Sequence, residues 1–140
     1  MRKMIFILAC FLTLNVGAQE TINNEKLKEY SWKLDLGGRE GKDVTYTYSF
    51  TSDSLILCAH IIDRDATEAY PYYFADEEQT IFDDSKVGKK TTGKYIVHKE
   101  NKVKHPLAKN DLYNWEIKEQ SDDRLLINIV GRDLEFFRVE

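Results

Sequence analysis

Apolar and polar residues alternate along most of this chain with a period of two, which is the pattern of half-buried β-strands. The clearest segment is Val44–Phe50, where β-branched and aromatic residues alternate with Thr and Ser. Turn residues at Thr51–Ser54 lead into the apolar run Leu55–Ile62, so these two segments predict a hairpin. The remaining predicted strands are Trp32–Leu36, Gln79–Phe82, Gly93–His98, Leu112–Lys118, Leu125–Val130 and Leu134–Val139.

About eight such segments with short polar connections predict an all-β fold. The expected form is a small antiparallel β-barrel of about eight strands, with a β-sandwich as the alternative. A short helix is predicted within Thr21–Tyr30. Two longer loops are predicted at Asp63–Glu78 and Lys99–Asp111, and in a barrel such loops lie at the rims, where ligand sites are common.

The first 18 residues have the layout of a secretory signal peptide. Arg2 and Lys3 precede an apolar run, and small residues end the segment at Ala18. We therefore expect a single mature domain over residues 19–140, exported to the periplasm or secreted. The alternative is lipid anchoring at Cys10, which follows a weak lipobox. The apolar run is about half of the ~20 residues that a membrane-spanning helix needs, so no transmembrane segment is predicted.

Charge and cysteine content limit the classes of partner and the covalent bonds that we expect for the mature chain. The leader holds two of the 20 basic residues and none of the 24 acidic ones, so the mature chain carries a net charge of −6. This disfavours nucleic acid as a partner. Removal of Cys10 leaves Cys58 without an intramolecular disulfide partner, and its apolar neighbours predict a buried, inert thiol.

An eight-stranded barrel either fills with its own side chains or holds one small ligand. The aromatic cluster Tyr70–Phe74, in the first predicted loop, has the rigid rings and polar tips of a binding lid. Packing against the barrel wall is the alternative for this cluster. If the rings line a pocket, it suits a small hydrophobic molecule, and the candidate ligand-binding residues are Tyr46, Tyr48, Tyr70, Tyr72, Tyr73, Phe74, Tyr95 and Trp115.

No catalytic or metal-binding motif is recognisable. The histidines at 60, 98 and 105 have no partner at a zinc-ligand spacing, and the acidic loops do not match an EF-hand. No nucleophile elbow, P-loop or dinucleotide fingerprint is present. We therefore predict a protein that is not an enzyme, with no metal site and no cofactor.

Three segments carry a resemblance to a known family. These are Trp32-Lys33-Leu34 early in the chain, Trp115-Glu116-Ile117, and the closing Leu134–Arg138. In this order they resemble the lipocalin-like proteins secreted by Bacteroidetes. The resemblance implies a calycin-type barrel in which Arg138 packs over Trp32 and closes one end. Tyr30 stands where that family has a glycine.

The resulting expectation is an exported, monomeric binding protein that holds a small hydrophobic ligand. The alternative is a filled barrel that binds another exported protein, as an inhibitor or an immunity-type partner. Asp53-Ser54-Leu55 also matches the short O-glycosylation pattern of Bacteroidetes, which makes Ser54 a candidate for modification.

Overall fold

The computed structural model describes residues 22–37, 44–100 and 112–139, with side chains described from residue 25 onward. The predicted leader, Cys10 and His105 lie outside the described residues, as does all but the start of the predicted loop Lys99–Asp111.

Ten strands, one α-helix and one 3-10 turn make up the described part of the chain. In chain order they are β1 (Ile22–Asn23), α1 (Asn24–Glu29), β2 (Ser31–Leu34), β3 (Val44–Phe50), β4 (Ser54–Ile61), β5 (Arg64–Ala75), η1 (Asp84–Lys86), β6 (Thr92–Gly93), β7 (Tyr95–Lys99), β8 (Leu112–Gln120), β9 (Arg124–Ile129) and β10 (Arg132–Val139).

Eight of these strands form a closed antiparallel barrel. The order around the barrel is β2-β3-β4-β5-β7-β8-β9-β10, and β10 pairs with β2 to close it. Within the barrel, each strand pairs with the next barrel strand along the chain. The predicted small antiparallel barrel is confirmed, and the alternative β-sandwich is not the fold observed. The short strands β1 and β6 pair with each other outside the barrel.

The pairing register decides which side chains face the interior. Trp32 lies opposite Tyr48, Tyr48 lies opposite Leu57, and Leu57 lies opposite Glu68. Residues directly opposite each other point to the same face, and the face alternates along each strand. Since Trp32 is buried in the core, Tyr48, Leu57 and Glu68 face inward with it.

Two sequence predictions about the strands are wrong. Residues 63–78 were expected to form a loop, but Arg64–Ala75 is the longest strand of the barrel. Gln79–Phe82 was expected to be a strand, but it is irregular chain on the outer surface. The first half of β5 carries charged and small residues because it is exposed, so it lacks the alternation that marks the other strands.

The helix α1 covers one end of the barrel, which we call the helix end. It is shorter than the predicted segment Thr21–Tyr30 and has only six residues. Leu27 is fully buried, and its carbonyl oxygen accepts a hydrogen bond of 3.2 Å from the indole Nε1 of Trp32. Lys26 forms an ion pair with Asp122 in the β8–β9 turn. The helix is too short to be stable alone, so this packing holds it in place.

The main hydrophobic core begins directly beneath α1. Its fully buried members come from α1 and from every barrel strand, and their rings pack edge to face, as in the Phe50–Tyr72 and Tyr72–Phe74 pairs. Such aromatic pairs add about 0.5–1.5 kcal/mol each beyond area burial. The core residues are Leu27, Trp32, Phe50, Leu55, Tyr72, Phe74, Ile96, Trp115, Ile117, Leu125, Ile127 and Phe136.

The segment 76–93 crosses the outer face of the barrel. Its backbone at Gln79 makes two hydrogen bonds with the side-chain amide of Asn114, of 2.8 and 2.9 Å. Phe82 packs on Tyr73, which faces outward into a second small cluster with Val97. Where the segment returns, a Cβ on Gly93 would lie 2.9 Å from backbone atoms of Ala75, so this crossing requires glycine.

The β3–β4 hairpin is confirmed, and its pairing corrects the prediction for Cys58. Cys58 lies between Thr47 and Thr67, faces outward and is exposed. Its neighbours are apolar on both faces of β4, so the sequence alone did not reveal its orientation. Ser54 begins β4 beside the exposed turn, and its modification stays a prediction.

Candidate ligand-binding site

Three aromatic rings divide the barrel interior into two halves. The ring of Tyr48 lies 5.3 Å from that of Trp115 and 5.5 Å from that of Phe136, between centroids, and all three come from different strands. We call these three residues the aromatic floor. Between the floor and α1 the interior is filled by the buried core. In this half, core side chains occupy the space that a ligand would need.

The half beyond the floor, which we call the distal half, is more exposed to solvent. Apart from Tyr70 and His98, which are buried, its inward-facing residues are half-buried or exposed, and several are small. Ala59 and Ala66 lie opposite each other, and Ala59 also faces Tyr46. Small inward residues leave interior volume in a barrel of this size. The distal half is lined by Tyr46, Leu57, Ala59, Ala66, Glu68, Tyr70, His98, Tyr113, Ile129 and Leu134.

His98 is the one buried polar residue among the core positions of the described chain. It lies opposite Tyr72 on β5 and Tyr113 on β8, and its side chain is 1% exposed. Its ring stacks on Tyr113 with centroids 5.2 Å apart and meets Trp115 edge-on at 4.7 Å. Neither ring nitrogen has a hydrogen-bond partner within the described part of the chain.

The carboxylate of Glu100 lies at the distal side of His98. Its Oε1 is 3.6 Å from Nε2 of His98, beyond hydrogen-bond length but close enough for electrostatic attraction. Burial lowers the pKa of His98, and Glu100 opposes this shift. Burial therefore dominates, and the imidazole is neutral at neutral pH, with one nitrogen able to accept a hydrogen bond.

Two tyrosine hydroxyls share this environment. Burial raises the pKa of Tyr48 to about 12, with contributions from Glu100 and Tyr46. Burial also raises the pKa of Tyr70, again with Glu100 as the next cause, and the Tyr70 hydroxyl donates a hydrogen bond to Glu68. The distal half thus combines neutral aromatic rings, a neutral histidine and two carboxylates.

The structure brings together about half of the predicted ligand-binding residues. Tyr46, Tyr48, Tyr70 and Trp115 face the interior at or beyond the aromatic floor. Tyr72 and Phe74 face inward but belong to the filled core near α1. Tyr73 and Tyr95 lie on the outer face under the segment 76–93. The cluster Tyr70–Phe74 is therefore part of the barrel wall and not a lid.

The predicted barrel-closing pair is present at the helix end in a different arrangement. Arg138 lies opposite Trp32 in the strand register. Its guanidinium, however, lies over the ring of Tyr30, 4.5 Å from the centroid, and Tyr30 in turn meets Trp32 edge-on at 6.4 Å. Tyr30 therefore lies next to both residues and makes the cation–π contact.

The predictions from the sequence did not include the polar residues of the site. His98 and Glu100 were left without a role, and Glu68 was assigned to a solvated loop. A signal existed for the first two: Ile96, His98 and Glu100 alternate, so a buried strand face becomes polar as β7 ends. No comparable signal marks Glu68, whose orientation follows only from the pairing of β4 with β5.

Within the described residues the structure contains neither a cluster of metal-ligating side chains nor a membrane-spanning helix. No group of three or more His, Cys, Asp or Glu side chains converges there as metal ligands would. No helix in that part of the chain has the length and apolar character needed to cross a membrane.

Comparison of the chain with protein-family models, curated proteins and solved structures finds no match. The functional assignment therefore rests on the barrel and its interior alone.

Proposed function

We propose that this protein is an exported, non-enzymatic binding protein whose barrel holds one small, largely apolar molecule in the distal half. The observation that carries the proposal is the contrast across the aromatic floor. Inward side chains are buried on the α1 side, whereas aromatic and aliphatic side chains such as Tyr46, Tyr113 and Leu134 remain partly exposed on the other side.

The composition of the distal half supports a small-molecule site. Ligand sites are concave, mostly apolar, and contain a few polar groups that orient the ligand. Tyr46, Tyr113 and Leu134 supply partly exposed apolar surface. A ligand that covers this surface would gain about 25 cal/mol of binding free energy per Å2 buried. The tyrosine hydroxyls and the carboxylate of Glu68 supply the polar groups.

The alternative, a filled barrel that binds a protein partner, has less support. Such a partner would bind the rim loops or an exposed strand edge. Of the ring cluster at 70–74, first predicted as part of a rim loop, Tyr72, Tyr73 and Phe74 are buried. Each of the eight barrel strands has a neighbour on both sides.

The proposal is tested by blocking the distal half from within. Ala59 faces inward and is half-buried, so the Ala59→Trp change places a large ring among Tyr46 and Ala66. Ala69→Trp is the matched control, because Ala69 lies on the outer face of β5 and is exposed. The readout is saturable fluorescence enhancement of N-phenylnaphthylamine, a neutral apolar probe, with circular dichroism to verify folding.

We expect the native protein and Ala69→Trp to bind the probe alike, and Ala59→Trp to lose most of the binding. Equal binding by the two variants would place the probe elsewhere and contradict the proposal. Absence of saturable binding by the native protein, with native mass spectrometry showing no retained small molecule, would contradict it as well.

A further inference from the structure

Two hairpin turns at the end of the barrel away from α1, which we call the mouth, are built alike. Ile61-Ile62-Asp63-Arg64-Asp65 joins β4 to β5, and Ile129-Val130-Gly131-Arg132-Asp133 joins β9 to β10. We call these segments the twin turns. Each ends in an Asp that lies within hydrogen-bond distance of its partner across the hairpin, His60 at 2.5 Å or Asn128 at 2.7 Å. Four barrel strands separate the turns in either direction, so they lie on opposite sides of the mouth.

Each twin turn places a β-branched residue in a backbone conformation that such residues rarely adopt. The φ angle is 56° at Ile62 and 50° at Val130, and within residues 22–37, 44–100 and 112–139 these are the non-glycine residues with positive φ. Gly, Asn and Asp adopt this conformation at lower cost. The apolar side chains gain little burial in return, since Ile62 is 63% exposed and Val130 is 87% exposed. Such locally unfavourable choices are concentrated at functional sites.

The charges beside the two tips nearly balance. Arg64 and Arg132 are the first residues of β5 and β10, and the register puts both on the inward face, where they are exposed at the mouth. Asp63 lies at one tip, and Asp65 and Asp133 are held on the outer face by the hydrogen bonds described above. Two arginines and three aspartates give the twin turns a net charge of −1. This balance favours neither a strongly anionic nor a strongly cationic partner.

We propose that the twin turns dock the mouth of the barrel on the surface of a zwitterionic lipid bilayer. Ile62 and Val130 enter the boundary between the head groups and the acyl chains, and the arginines behind them pair with lipid phosphates. In this orientation the distal half faces the bilayer. The inference concerns the rim of the barrel and does not depend on the proposed ligand site.

A bilayer fits the arrangement of the tips better than a protein partner does. Each tip exposes a single apolar side chain, and the two tips are separated by the width of the barrel. A protein would need a complementary face across that whole width, whereas a bilayer accepts separate apolar side chains without matching their shape. Two such side chains bury little apolar surface, so the docking is weak and reversible.

Flotation with vesicles of phosphatidylcholine tests the inference. The chain used is residues 19–140, which contains every described element and omits the apolar leader, because the leader could itself bind lipid. Ile62→Asn and Val130→Asn each remove an apolar tip, so each should weaken partitioning about threefold, and the double variant about tenfold. Ile81→Asn is the matched control: Ile81 is 78% exposed on the outer segment 76–93, and its replacement should leave partitioning unchanged.

The same variants separate docking from folding. Asn adopts positive φ more readily than Ile or Val, so both tip variants should unfold at a higher urea concentration than the native protein. Saturable binding of N-phenylnaphthylamine in the absence of vesicles should not change, because neither tip lines the distal half.

Three results would overturn the docking inference. The first is that the native chain does not float with phosphatidylcholine vesicles, or floats only when anionic phosphatidylglycerol is added. The second is that the double variant partitions as the native chain does, or that Ile81→Asn loses as much. The third is a lower urea midpoint in both tip variants, because the fold would then account for the apolar tips. Failure of probe binding, with docking intact, contradicts the ligand-binding proposal alone.

Discussion

The two halves of the barrel interior are built from the same residue types and do different things. On the α1 side, rings such as Trp32, Tyr72 and Phe136 are sealed by the helix and by each other. On the distal side, Tyr46 and Tyr113 are only half-buried, although they occupy equivalent inward positions. Aromatic content therefore does not by itself indicate a binding site. What matters is whether other side chains already cover the rings.

Polar groups do not separate the two halves in the same way. On the α1 side, the Trp32 indole donates to Leu27 and the Tyr72 hydroxyl donates to the carbonyl oxygen of Thr51. The buried Nε2 of Gln120, next to the β8–β9 turn, is nevertheless unpaired within the described residues, as are the ring nitrogens of His98 at the boundary of the distal half. The coverage of the rings, and not the pairing of polar atoms, therefore distinguishes the halves.

The largest effect that would test this contrast is expected at Trp32. The Trp32→Ala change removes a fully buried ring and its hydrogen bond, so we expect a loss of about 3–5 kcal/mol in the free energy of unfolding. Urea denaturation measures it. Trp32→Phe keeps an apolar ring and should lose much less of the free energy of unfolding. That result would show that packing contributes more than the hydrogen bond of Trp32. A loss as small as the one expected for a distal residue such as Tyr46 would contradict the division of the interior into a filled half and a distal half.

A change of opposite sign is expected at His98. His98→Phe keeps an aromatic ring next to Tyr113 and removes two unpaired buried nitrogens, so stability at neutral pH should rise by about 1–3 kcal/mol. Destabilisation of the variant would mean that the ring nitrogens are satisfied in solution.

The same variant changes the response to acid. Burial lowers the pKa of His98 in the folded protein, so below the unfolded value of 6.5 the unfolded chain binds more protons than the folded one. Stability therefore falls as the pH drops below about 6.5, where the unfolded chain takes up a proton that the folded chain does not. Thermal unfolding should show this decline in the native protein and a weaker one in His98→Phe. His60→Gln, on the outer face, should retain the contribution of His98.

The smallest effect on stability is expected at Tyr46. Because its side chain is half-buried, Tyr46→Ala should cost less than about 1.5 kcal/mol in the free energy of unfolding. It should weaken probe binding about fivefold, since a ring contact is lost. A large loss of stability with unchanged probe binding would mean that Tyr46 is part of the core and that the division lies farther from α1.

The strands were predictable where one face is buried and the other is wet. Val44–Phe50 shows this alternation and is β3 as predicted. The prediction failed at β5, because the barrel rim exposes both faces of its first half and removes the apolar signal at Arg64–Glu68. It failed in the opposite direction at Gln79–Phe82, where Phe82 is apolar because it packs on the outside of the barrel.

The candidate site was predictable only in part. The alternation along β3 singled out Tyr46 and Tyr48 as inward positions, and the register places them there. The ring cluster at 70–74 was recognised as unusual, but its alternate residues face opposite sides of the sheet, so it joins two different clusters. No local pattern distinguishes Tyr72 from Tyr73 until the neighbouring strand is known.

Local alternation and turn chemistry specify the strand-rich class, the hairpin at residue 51 and the inward face of the most regular strands, so these could be predicted from the sequence. Three features could not: the closure of the strands into a barrel, the filling of one half by α1 and the buried rings, and the position of Glu68, His98 and Glu100 close to the same aromatic rings. These features depend on pairing between distant segments, and strand register fixes which side chains meet.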